Sequence, residues 1–184
     1  MAKQKNKKKQ NKRKLFQIIA LIVAATFIIF LLSNLFTSPK TIPVNKNVVN
    51  QADLYIFKKQ GELTFQTSDG KYISQIDIEF ADNATKRADG LMLRNKMEEN
   101  QGMLFMFPSE EMQSFWMKNT ILSLDMLFIN SDLEIVTIHR NTEPFALTSY
   151  PSTKPSQYVL ETLAGYTNKY NIKVGDKVIF RKTN

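Results

Sequence analysis

The chain has 184 residues, no cysteine, and 25 basic against 17 acidic side chains. Eight of the basic residues fall within residues 1–14, where no acid occurs, so the remaining 17 are matched by 17 acids and the basic character belongs to the tail alone. A balanced body lacks the surplus of Lys and Arg that phosphate contacts require, which argues against nucleic acid as a partner, and the lack of cysteine excludes disulfides, thiolate metal sites and cysteine nucleophiles.

Residues 1–14 read as a basic cytoplasmic tail. Residues 15–36 follow without a single charge, and as a helix they span about 33 Å, close to the hydrocarbon thickness of a bilayer. A helix is required there because lipid offers no partners to backbone polar groups. The cations before the span place the N-terminus in the cytoplasm and the body outside, periplasmic or extracellular. A cleaved signal peptide is the competing reading, but its apolar core is normally shorter and ends in a small-x-small site, unlike the sequence around Ser33 and Pro39. Residues 37–52 read as a linker, interrupted by Pro39 and Pro43.

The body, 53–184, opens with apolar runs at 54–57 and 63–66, which suggest a hairpin about Gly61. Ser68-Asp69-Gly70 signals a turn, and Ile76, Ile78 and Phe80 alternate with acids as in a half-buried strand. Asn83 is a helix N-cap candidate for a helix over 84–91, with Gly90 near its end. Residues 102–107 read as a buried strand that Pro108 terminates, and 109–113 as an acidic loop. Leu122, Leu124, Met126 and Phe128 share one strand face. A turn at 130–132 leads to a returning strand at 133–138. Three prolines make 140–157 a long irregular loop. A strand at 158–163, a short helix or turn at 164–170 and a final strand at 177–181 complete the chain. The predicted fold is α+β: a mainly antiparallel, rolled or barrel-like sheet with one or two short helices, preceded by a single transmembrane helix.

Several motifs stand in order along the body: Arg87 with Gly90-Leu91-Met92 and Arg94, Gly102-Met103-Leu104-Phe105 with Phe107, Phe115-Trp116-Met117-Lys118-Asn119-Thr120 followed by Leu124-Asp125, and Tyr158-Val159-Leu160-Glu161. Together they resemble the family known as domain of unknown function 192, over residues 83–180. The resemblance implies a compact β-rich fold, often exported or membrane-anchored, and no named activity. This chain departs from the family pattern at Lys86, where glutamate is usual, at Ser123, where proline is usual, and at Leu133, which replaces a turn glycine.

Trp116, Lys118 and Asn119 are the first candidates for a binding site, since an indole beside a cation and an amide can hold a sugar or an anionic group. The competing reading has Trp116 closing the core edge and Lys118 pairing with Asp125 or another carboxylate. Arg87 and Arg94 are seven residues apart, share a face if one helix carries both, and can fork onto a carboxylate or phosphate, unless each is paired structurally. Asp125 and Glu161 are the one carboxylate pair suited to divided acid and base roles, provided that they meet. Seven of the eight methionines fall between residues 92 and 126. Met103, Met106 and Met117 with His139 are therefore candidate copper ligands, although methionine is also common core filler. No G-x-S-x-G, H-E-x-x-H or glycine-rich phosphate loop occurs, and no cofactor is implied. The leading expectation is a non-catalytic binding or accessory module of the cell envelope. The alternatives are a hydrolase using Asp125 and Glu161, and a methionine-based copper protein.

Overall fold

In the computed structural model the described residues are 56–183 together with Thr26. The tail, the apolar span and the linker lie outside them, apart from Thr26, which is helical and exposed. Among the described residues no helix is long and apolar enough to cross a membrane.

The body contains β1 (Gly61–Gln66), β2 (Tyr72–Ala81), α1 (Ala84–Asp89), β3 (Gln101–Glu111), β4 (Ser114–Phe115), β5 (Leu124–Ile129), β6 (Ile135–His139), β7 (Tyr150–Pro151), β8 (Ser156–Leu163), α2 (Tyr166–Lys169) and β9 (Lys177–Lys182). Seven strands form one sheet in the order β6-β5-β8-β3-β2-β1-β9, and β4 with β7 forms a separate two-stranded ribbon. Every pairing in the large sheet is antiparallel except β2 with β3. That parallel pair follows from α1, which carries the chain from the end of β2 back to the start of β3 as a crossover. The sheet is therefore mixed. Nor does it close into a barrel: β6 and β9 remain its edges, and they meet only at one corner through a Glu134–Lys177 bridge. Backbone bonds from Ile135 to Asp176 (2.8 Å) and from Val178 to Leu133 (2.9 Å) fasten that corner.

Each face of the sheet buries its own apolar cluster. Leu63, Ile76, Leu104, Leu127, Ile135, Leu160 and Val178 draw on strands from both ends of the sheet, which puts them inside its curl. Met103, Phe105, Met126, Phe128 and Val159 face the other way, where Leu91, Met97 and Met117 cover them. This alternation along β3, β5 and β8 is the period-two geometry of a strand buried on both sides.

Several local expectations are corrected. Residues 56 and 57 form no strand, and β1 pairs instead with β2 and β9. Helix α1 stops at Asp89, because Gly90 takes φ 47° and ψ −132°, a conformation only glycine adopts freely. Its N-terminus is as expected: the Asn83 side chain accepts from Lys86 N at 3.0 Å. Pro108 does not end β3, which runs on to Glu111. The β3–β8 register shifts between Met106 and Glu111, so the missing N–H of Pro108 falls where no ladder bond is needed. The loop after β6 contains β7, and β8 begins two residues earlier than predicted. At Leu133 the chain takes a left-handed turn (φ 62°).

Candidate functional site

Gly90 and the two residues after it divide two cavities. The first, about 260 Å³, is lined by α1 and the Gly90-Leu91-Met92 turn, by Phe105 and Phe107 of β3, by Gln113 to Trp116 around β4, by Thr120, and by Glu161 of β8. The second, about 510 Å³, lies on the other side of the turn, among Lys58, Gln60, Glu79, Phe80, Lys86, Arg94 and Met103.

Glu161 lines the first pocket. It is only 5% exposed, and it sits between Met103 and Met126 in the strand pairings on either side. Burial pushes its carboxyl up to about 8, the positive charge of Arg94 pulling modestly the other way. No hydrogen bond or ion pair within the described residues reaches it, and it lines the cavity with burial favouring its protonated form. Gln113 is the second such group. Its backbone is fixed to Ser152, donating to the hydroxyl at 3.0 Å and accepting from the Ser152 amide at 2.9 Å. Its side chain is 9% exposed, and its Nε2 has no partner. Sequence gave no signal for Gln113, because its burial arises only when β4 pairs with β7.

Around these two groups the wall is aromatic. Phe115 packs edge-on against Phe105 (5.0 Å) and Phe107 (6.2 Å), and Trp116, half exposed, stands at the edge of the cavity. Lys118 Nζ lies 5.0 Å from the Trp116 ring centroid, a cation–π contact. Arg87 donates from Nη1 to the Met106 carbonyl at 2.9 Å and lies 5.3 Å over the Phe107 ring.

The remaining predicted site residues are placed as follows. Arg87 and Arg94 share no helix face, since α1 ends between them. Arg87 lines the first pocket, while Arg94 lines the second and forms a largely buried ion pair with Glu79. Asn119 is exposed in a left-handed turn (φ 56°), where its carbonyl accepts from Leu93 N at 2.8 Å; neither it nor Lys118 lines the pocket. Asp125 and Glu161 do not meet. Asp125 stands opposite Thr162 and Glu161 opposite Met126, so the two carboxyls project from opposite faces of the sheet. The hydrolase pair is thereby removed. The copper set does not converge either: Met103 belongs to the outer cluster and Met106 packs on the inner one, while Met117 accepts from the Thr142 hydroxyl at 3.2 Å. His139 Nε2 bonds the Pro151 carbonyl at 2.8 Å and its ring packs on Phe128 and Tyr150, so it ties β6 to β7. Among the described residues no cluster of His, Cys, Asp or Glu is arranged to hold a metal ion.

The family match covers residues 64–180, nearly the whole described body, and the family is the uncharacterised ACR group, domain of unknown function 192. The chain belongs to this family. Among its relatives, a UPF0127 protein of Pyrococcus abyssi is 32% identical over 106 residues, covering 55% of this chain and 83% of that protein. A UPF0127 protein of Pyrococcus furiosus is 30% identical over 114 residues, covering 59% and 90%. Of solved structures, a candidate transcription regulator of Sinorhizobium meliloti superposes with a TM-score of 0.64 at 36% identity, over 68% of this chain and 97% of that one. A protein of unknown function from Novosphingobium aromaticivorans gives a TM-score of 0.60 at 32% identity, over 64% and 83%. The two solved structures share the fold of the body. The pocket is read from its own side chains.

Proposed function

We propose that this family member is a membrane-anchored module that holds a small polar ligand outside the cytoplasm, without a catalytic step. One observation carries the reading: Glu161 and Gln113, both more than nine-tenths buried, line one aromatic pocket, and the Gln113 Nε2 has no hydrogen-bond partner. Leaving such a group unpaired costs about 1–3 kcal/mol, and a ligand that bonds both would recover that cost. The half-exposed Trp116 supplies an apolar edge on which the ligand can rest. The non-catalytic reading is supported by the isolation of Glu161 from Asp125 on opposite faces of the sheet. Membrane anchoring is supported by the uncharged run at 15–36 behind eight cations, and the orientation by the positive-inside rule.

Two measurements test the reading. Trp116 is the only tryptophan, so its emission in the full chain, held in detergent, reports on the pocket. Titration with a panel of monosaccharides, amino acids and small carboxylates is expected to give a saturable change that Glu161→Leu abolishes. A flat response to every compound would remove the pocket as a binding site. Protease added to intact cells is expected to digest the body, and full protection would reverse the proposed orientation.

A further inference from the structure

We infer that the ligand of this pocket is a neutral sugar residue, bound through its hydroxyls to Glu161 and Gln113 with Trp116 against its ring. The inference rests on the pocket being a binding site and adds the chemical class. Charge decides against the alternatives. A cationic ligand approaching Trp116 meets Lys118, whose ammonium already occupies a cation–π position 5.0 Å from that ring, and Arg87 lines the same cavity. An anionic ligand finds neither nearby arginine uncommitted. Arg94 is committed to Glu79 on the far side of the Gly90 turn, and Arg87 already spends Nη1 on the Met106 carbonyl. An anion would also face Asp89, which lines the pocket, and would oppose any ionisation of Glu161.

A hydroxyl-rich neutral molecule meets neither obstacle. A Glu161 carboxyl kept protonated by its burial both donates and accepts, as does the Gln113 amide, and each sugar hydroxyl can answer either role. The cavity of about 260 Å³ is small, suited to one ring rather than an extended chain.

The test uses the full chain in detergent and the Trp116 emission, with glucose, galactose and N-acetylglucosamine as neutral probes and glucuronate and glucosamine as charged counterparts. At least one neutral probe is expected to saturate the signal at neutral pH, with its charged counterpart at least tenfold weaker. Glu161→Leu and Gln113→Leu should each weaken the neutral probe at least tenfold, their folding checked by circular dichroism. The wild-type comparison of neutral and charged probes decides the matter even where a variant fails to fold. Tighter binding of glucuronate or glucosamine would overturn the sugar assignment while leaving the pocket a binding site. Silence toward all probes would overturn both.

Discussion

Asp125 and Glu161 stand one register step apart on the adjacent strands β5 and β8, yet their carboxyls lie on opposite faces of the sheet. The two environments are opposite in kind. Asp125 is fully buried and accepts from Asn141 N (2.9 Å), Gly165 N (3.2 Å), Thr167 N (2.9 Å) and the Thr167 hydroxyl (2.6 Å). Arg140 extends this clip, donating to the Thr167 hydroxyl at 3.1 Å and to the Ile172 carbonyl at 2.9 Å. Glu161 has no such partners and lines a cavity. One carboxyl fastens the turn into α2; the other lines a cavity.

Asp125→Ala removes the common acceptor of three backbone amides and a hydroxyl, and leaves those donors buried. The expected loss is about 3 kcal/mol or more, seen as a lower urea midpoint with an unchanged slope. The folded fraction should keep the Trp116 response, because the clip is on the other face of the sheet.

The carboxyl of Glu161 gives the stability a definite pH dependence. Its folded pKa, about 8, lies above the ordinary carboxylate value of 4.5, so the folded state holds the extra proton between those limits. Stability is greatest below about pH 4.5 as far as this group is concerned, falls as pH rises toward about 8, and then levels. The shift corresponds to a penalty on the order of 4–5 kcal/mol at alkaline pH. Glu161→Gln removes it, so the variant should gain on wild type between pH 5 and pH 9 in denaturant titrations. Parallel curves for the two proteins across that range would contradict the burial argument.

Gly90→Ala should harm both fold and pocket. A Cβ there would lie 3.1 Å from Phe105 Cζ, and the residue holds a positive φ of 47°. The backbone strain costs about 1–3 kcal/mol, and displacing Phe105 alters the pocket wall. The expected outcome is a lower Tm together with a weakened Trp116 titration.

Arg94→Leu leaves Glu79 charged and largely buried, with only Lys58 N (2.8 Å) bonded to its carboxylate. Loss of one partner of such a pair costs about 3–5 kcal/mol. The double variant Arg94→Leu/Glu79→Leu should recover most of that loss. Because Arg94 also lowers the Glu161 pKa, the double variant should titrate Glu161 higher than wild type does. Carboxyl-carbon NMR of the labelled protein would check this.

Much of the secondary structure was legible because it depends on neighbours in sequence. Asn83 caps α1 through its own side chain, and the last strand, β9, stands where a strand over 177–181 was expected. The candidate site was legible in part. Glu161 stood out as an acid in an apolar strand, and Trp116 as the single indole, and both line the pocket. Gln113, Phe105 and Phe115 gave no functional signal, since a glutamine in a polar stretch and phenylalanines in an apolar one look ordinary until the chain folds.

The sequence by itself determined the family, the β-rich class, the neutrality of the body and the uncharged run near its N-terminus, because each is written in composition or in patterns a few residues long. Only the tertiary structure decided that β2 and β3 run parallel and that β8 lies between β3 and β5. Strand partners are chosen by hydrogen bonding and burial across dozens of residues, and local periodicity does not encode that choice. The register of β8 against β5 then sends Asp125 to one face and Glu161 to the other. With that one alignment, an apparent catalytic pair becomes a structural clip and a carboxyl that lines a separate pocket.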